Sequence, residues 1–201
     1  TTTEEDKNRT EMIQQNQQRA ELNENSKDMD SFLTSLNIVA SIGVSDSMTV
    51  DRIAQLTNKT NQFNLTTRRY STAEINEFVE SGDIVLHISV EDCFGEYGIS
   101  GVAIVKKNDK YEWIIDTFLL SCRIIGKKIE SALLTRVINI LKRKKAHKLY
   151  GQYIDSKKNH LTKNFYKGHN FNLVDKENGI WEYDLQKKTP TVIDFIKINR
   201  T

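Results

Sequence analysis

Cys93 and Cys122 are the only cysteines in 201 residues. Two thiols make neither a disulfide framework nor a cysteine metal cluster, so a reducing compartment, the cytoplasm, is the expected setting. No stretch approaches the roughly 20 apolar residues of a spanning helix, and nothing reads as a secretory signal. A membrane protein is therefore not expected. His147, His160 and His169 lack ligand spacing, and no metal site is expected. An initiating methionine is missing too, since the chain opens Thr1-Thr2-Thr3, and the expectation is a piece of something longer. The length suits one domain, or a domain with a helical extension.

Charge is present but uneven. The formal net charge is +2, yet residues 1–40 hold eight acidic and four basic side chains. Residues 121–170 hold thirteen Lys or Arg against Glu130 and Asp155, a local net charge of +11. Such a field draws an anionic partner: a phosphorylated cofactor, an acidic carrier protein or nucleic acid. The basic residues are not interleaved with aromatics in a stacking pattern, which argues against nucleic acid. Lys142, Arg143, Lys144 and Lys145 also suit the solvated C-terminal end of a helix.

The front of the chain reads as helical. Residues 4–24 form a polar helix with a thin apolar seam of Met12, Ile13, Ala20 and Leu22, which needs another surface to lean on. A short helix over 28–37, a strand over 39–44 and a helix over 49–58 follow. Residues 59–70, KTNQFNLTTRRY, match neither period. They read either as a loop whose side chains satisfy its own backbone, or as a docking loop presenting Asn61, Asn64, Arg68 and Arg69. Ser71-Thr72-Ala73-Glu74 is a capping box that opens a helix to about Glu80.

Beyond Gly82 the period shifts to two. Strands are expected over 83–90, 99–106 and 111–120, forming an antiparallel meander. A helix over 127–145, a strand over 149–154, a helix over 157–167 and strands over 170–174 and 180–185 complete the order. One mixed, mostly antiparallel sheet flanked by helices packs this list economically, an α+β fold.

The chemistry gathers where the third meander strand meets the long helix. A helix start offers unpaired N–H groups and the positive end of its dipole, and Gly126 permits close backbone approach. Arg123, Lys127 and Lys128 add full charges, so the junction reads as a phosphate or pyrophosphate site, with a tight turn carrying surface lysines as the alternative. Cys122, beside these charges, is a candidate nucleophile whose thiol such a setting would acidify, unless it is a buried structural cysteine. His87 faces either a cleft or the core. Asp92, Glu96 and Asp116, near strand ends, are candidate acid–base groups.

Arg123-Ile124-Ile125-Gly126 resembles the pyrophosphate loop of the GNAT acyltransferase fold, whose pattern is Arg or Gln, two residues, Gly, one residue, then Gly or Ala; Lys128 stands at the last position. The order of elements from Ser71 to Leu185 resembles that fold as well. A longer resemblance runs through Arg52-Ile53-Ala54-Gln55-Leu56 and onward to Tyr70, through Asp92-Cys93-Phe94-Gly95-Glu96-Tyr97-Gly98, and through Asp116-Thr117-Phe118-Leu119-Leu120-Ser121-Cys122-Arg123 with Gly126. These segments are similar to FkbH-type proteins, in which a haloacid-dehalogenase-like phosphatase domain precedes a GNAT-like portion. Several of those resemble enzymes that load a glyceryl unit from a phosphorylated glycerate onto an acyl carrier protein.

The resemblance implies a GNAT-like domain over 71–201, a linker over 51–70, and over 1–50 a helical connector to, or the tail of, an upstream phosphatase domain; phosphatase activity is not expected of this chain alone. It implies coenzyme A or phosphopantetheine at Arg123, Gly126, Lys127 and Lys128, an acyl carrier protein as partner, and transfer of a small acyl group with Cys122, His87 and Asp92 as catalytic candidates. A non-catalytic module that docks a carrier protein for the missing domain is the alternative.

Overall fold

The computed structural model describes residues 3–200. Helix α1, Glu4–Asn25, is opened by a capping box in which the Thr3 hydroxyl accepts the Asp6 N–H and the Asp6 carboxylate accepts the Thr3 N–H, both at 3.2 Å. Met12, Ile13 and Ala20 of the expected seam face solvent. The helix is held instead by Arg19, buried on the carboxylate of Asp92, with half-buried Leu22 packed on the core. An ion pair does the work assigned to an apolar stripe.

Then come α2 (Met29–Ser35), β1 (Ile38–Val44), α3 (Val50–Lys59), the two-residue β2 (Phe63–Asn64) and α4 (Thr72–Glu80). The Ser71–Glu74 capping box is present, with Ser71 Oγ accepting the Glu74 N–H. The meander follows as β3 (Ile84–Asp92), β4 (Gly95–Lys107) and β5 (Glu112–Leu120), all antiparallel. A 3₁₀ turn over Cys122–Ile124 leads towards α5 (Ile129–Arg143) and β6 (Lys148–Gln152). Helix α6 (Phe165–Gly168) and strands β7 (Asn172–Asp175), β8 (Ile180–Asp184) and β9 (Ile196–Arg200) complete the order.

The sheet runs β7-β8-β6-β5-β4-β3-β1-β9, with β2 attached to β5. It is mostly antiparallel; β5 pairs with β6 in parallel, and so does β1 with β9. Strand alternation sorts the core into two layers. Val85, Val102, Ile104 and Leu119 meet Ile53, Leu56 and Ile75 of α3 and α4 on one face. Ala103, Val105, Ile115 and Phe118 meet Leu133, Val137 and Leu141 of α5 on the other. The divisions expected at residues 50 and 70 fall among elements of this one sheet, since β1 pairs with β3 and α3 lies on β4.

Three local expectations are corrected. The long helix begins at Ile129, two residues late. In place of a helix over 157–167 there is a 3₁₀ turn over His160–Thr162 and the four-residue α6. There the side chain of Asn159 accepts the Ser156 N–H at 2.9 Å and donates to the Asn64 and Ile154 carbonyls, holding the chain in a non-helical path. The third correction is β9, whose IKINR sequence drew no strand assignment and which pairs with β1. No helix among the described residues is long and apolar enough to cross a membrane.

Candidate functional site at the end of β5

β5 and β6 pair only from Glu112–Lys148 to Ile115–Gly151, after which the two strands part. A diverging parallel pair leaves a crevice at its carboxyl ends, the usual place for a ligand in an open sheet. Here the crevice holds the chain's own residues 63–66. Phe63 and Asn64 pair with Leu120 and Leu119, and the Leu65 N–H donates to the Phe118 carbonyl at 3.1 Å. Thr66 Oγ1 and Arg68 Nη1 donate to the Asp116 carbonyl at 2.8 and 3.1 Å. From the other side, the Ile154 N–H and Asn159 Nδ2 donate to the Leu65 and Asn64 carbonyls, both at 2.9 Å.

Beside this inserted segment lies a cavity of about 400 Å³ walled by α3, β2 and the turn after β5. It is lined by Arg52, Lys59, Asn61, Gln62, Phe63 and Cys122. Cys122 is exposed and sits in the 3₁₀ turn, seven residues before α5 begins, so the expected placement at the helix N-terminus is corrected. The thiol shares the pocket with the cations Arg52 and Lys59 and with apolar Leu56, Phe63 and Leu120. Neither His87 nor His160 lines it.

The turn that follows divides its basic residues. Gly126 (φ +86°) and Lys128 (φ +57°) both take the left-handed backbone, and both are exposed. The backbone N–H groups of Gly126, Lys127 and Lys128 meet no acceptor among the described residues. Arg123 turns back, donating to the Tyr97 carbonyl at 2.8 Å. Lys127 is half-buried over the Tyr97 ring, and burial, reinforced by the charge of Arg19, holds its ammonium below the usual lysine range. Arg19 stacks on the same ring at 4.4 Å. Of the four residues expected at a phosphate, Gly126 and Lys128 face the solvent; Arg123 and Lys127 brace the turn.

The other catalytic candidates lie elsewhere. Asp92 has no exposed side chain: its oxygens take the Arg19 guanidinium at 2.7 and 2.8 Å, and Oδ1 also accepts the Phe94 and Gly95 N–H groups. So occupied, it closes the β3–β4 turn and anchors α1, which corrects its reading as an acid–base group. His87 sits on β3, paired with Val102, which pairs with Leu119, so two strand spacings of about 4.8 Å separate it from β5. Burial lowers its pKa, partly offset by Asp46, and its Nδ1 has no partner among the described residues.

The expected docking residues are mostly structural. Asn64 is fully buried, donating to the Thr60 carbonyl and accepting the Thr66 and Thr67 N–H groups. Arg69 caps the end of α3 through the Thr57 and Thr60 carbonyls and holds the Asn61 amide oxygen. Arg68 reaches Asp116 at 3.0 Å and Gln152 at 2.8 Å. Asn61 alone of the four lines the cavity. Asp116 is the hub that sequence spacing did not pair: Arg68, the Tyr70 hydroxyl at 2.6 Å, the Thr117 hydroxyl and Lys106 all converge on its carboxylate. The continuous apolar runs on either side of Asp116, Trp113 to Ile115 and Phe118 to Leu120, were the available signal for its burial.

No family model matches the sequence, and no curated protein matches it. Solved structures do match the fold. An acetyltransferase of the GNAT family from Staphylococcus aureus Mu50 superposes with a TM-score of 0.58 at 14% identity, covering 73% of this chain and 99% of that one. The ribosomal-protein-S18-alanine N-acetyltransferase from Escherichia coli gives 0.57 at 10% identity, covering 77% and 99%. The yncA protein of Salmonella typhimurium, solved with acetyl-CoA, gives 0.55 at 16% identity, covering 77% and 99%. The chain has the GNAT acetyltransferase fold.

The residues present can be tested against coenzyme A, the ligand named with that last neighbour. The exposed turn at Gly126 and Lys128, with its free N–H groups, suits a phosphate. The pantetheine arm is an extended chain with two amides, and it would need the open edge of β5. That edge is taken by residues 63–66 and Arg68. The residues do not fit coenzyme A laid along β5.

Proposed function

We propose that this chain is an acyltransferase-like module that accepts a small acyl group at Cys122. The observation that carries the proposal is the cavity itself. Two segments separated by some 60 residues, both similar to FkbH-type proteins, meet there and place an exposed thiol among Arg52, Lys59, Asn61 and Gln62. The acyl group arrives as a thioester of phosphopantetheine, borne by an acyl carrier protein or by coenzyme A and presented from solvent. An acidic carrier protein suits the basic surface around the turn and the end of α5. The setting is cytoplasmic, with a phosphatase-like domain upstream of the chain.

The chemistry is thiol–thioester exchange. The Cys122 thiolate adds to the acyl carbonyl, the donor's C–S bond breaks, and the donor sulfur leaves and takes up the proton that Cys122 gave up. Arg52 and Lys59 supply positive charge for the developing oxyanion, or for polar groups of an acyl unit such as glyceryl. Solvent can take up the Cys122 proton, so the exchange needs no histidine in the pocket.

The test is the thiol released when the protein meets a glyceryl- or acetyl-pantetheine thioester. A burst of one equivalent per chain is expected, abolished in Cys122→Ala and retained in Cys93→Ala. Absence of a burst with the wild-type chain, together with binding of the carrier protein, would favour the docking module. The filled crevice is the observation on that side.

A further inference from the structure

We infer that residues 63–66 are a permanent, built-in replacement for a ligand arm in the crevice between β5 and β6, so that no pantetheine chain binds along β5. The inference goes beyond the acyltransferase reading, because it does not depend on any chemistry at Cys122.

A parting pair of strands exposes two facing rows of N–H and C=O groups, and buried backbone groups left unpaired are costly. An extended ligand completes such edges by adding a strand. In this chain that strand is covalent. The segment meets β5 through the Phe63–Leu120 and Asn64–Leu119 pairs and the Leu65 N–H, and meets the β6 side through Ile154 and Asn159. The segment pairs with the β5 edge as a strand, and on the other side it is held by one backbone bond from Ile154, just beyond β6, and by the Asn159 side-chain amide.

Its side chains are as fixed as its backbone. Leu65 and Asn64 are fully buried and Phe63 nearly so, with the Phe63 ring edge-on to Phe165 at 5.9 Å. Asn64 satisfies its amide three ways, on Thr60, Thr66 and Thr67, so pulling it into solvent would undo this set of bonds. A pantetheine arm offers two amides in exchange for at least five hydrogen bonds and two buried apolar side chains. Displacement by such an arm is uphill, and the exchange favours the chain's own strand. Phe63 then serves twice, as the edge of the inserted strand and as a wall of the Cys122 cavity. That confines an incoming thioester to the solvent side of the wall.

The experiment is amide hydrogen exchange of the wild-type chain by NMR, with and without acetyl-CoA at 1 mM, alongside a thermal melt of each sample. The Leu65 and Ile154 amides should exchange at least about a thousandfold more slowly than unstructured amides, in both samples. A melt raised by acetyl-CoA with both amides still protected supports the inference, since the ligand then binds off the crevice. An unchanged melt with both amides protected supports it as well. Loss of protection at Leu65 or Ile154 on adding acetyl-CoA overturns it, and so does fast exchange in the free protein. Failure of Cys122 to release thiol from a thioester while these amides stay protected would count against the proposed function alone.

Discussion

At the scale of single residues, the two cysteines are told apart by their surroundings. Burial and the charge of Asp92 push the Cys93 thiol up, and its Sγ lies 3.7 Å from the Ser35 carbonyl, which it can donate to. Both thiols are exposed, but Cys122 lines a pocket with the cations Arg52 and Lys59. Iodoacetamide at pH 7.5 should therefore alkylate Cys122 before Cys93, read by peptide mass; equal rates would contradict the contrast. Arg19 supports a second expectation. Arg19→Ala leaves the Asp92 carboxylate buried with only two backbone donors, and breaking a buried pair costs about 3 kcal/mol. Urea unfolding measures it, and a loss below about 1 kcal/mol would show that the pair is not what fixes α1.

His87 gives a pH signature at the same scale. Its pKa is depressed by burial, so folded and unfolded chains are both neutral above about pH 6.5. Below that value only the unfolded chain gains the proton, and stability falls as pH drops toward the folded value. The melting temperature of the wild type should decline between pH 7.5 and 5.5, and His87→Gln should flatten that decline. A parallel decline in both proteins would remove His87 as the cause.

At the scale of elements, legibility followed period. The meander and α5 were readable because Ile84 to Val90 alternate and Leu133, Val137 and Leu141 recur at helical spacing. The inserted strand was not, because KTNQFNLTTRRY has neither period; it is held by β5, Ile154 and Asn159, which sequence spacing does not bring near it. The same tertiary logic hid the anchor of α1, one Arg among polar residues, and the turn at Asn159, where a side chain overrides helix propensity. Of the site, the junction at Cys122 and Gly126 was legible as a basic turn, whereas its partners Arg52, Lys59 and Gln62 were not. Gly151 marks the apex of the crevice, where an added Cβ would overlap the ring of Tyr166, itself fully buried. Gly151→Ala should destabilise by about 1–3 kcal/mol in urea titration through overpacking. An unchanged midpoint would mean that the Tyr166 ring has room to withdraw.

At the scale of the whole molecule, the chain keeps the GNAT sheet and its helical layers and fills the crevice with its own strand. The cation-rich turn and the thiol pocket remain open on the outside, where a carrier-borne thioester can reach them. On the proposed reading an acyl group comes to rest on Cys122. Peptide mapping after incubation with an acyl carrier protein thioester, quenched in acid, tests it most directly. The acyl mass is expected on the peptide bearing Cys122 and not on the peptide bearing Cys93. Acyl mass on neither peptide while the carrier protein remains bound, or on Cys93 alone, would contradict it.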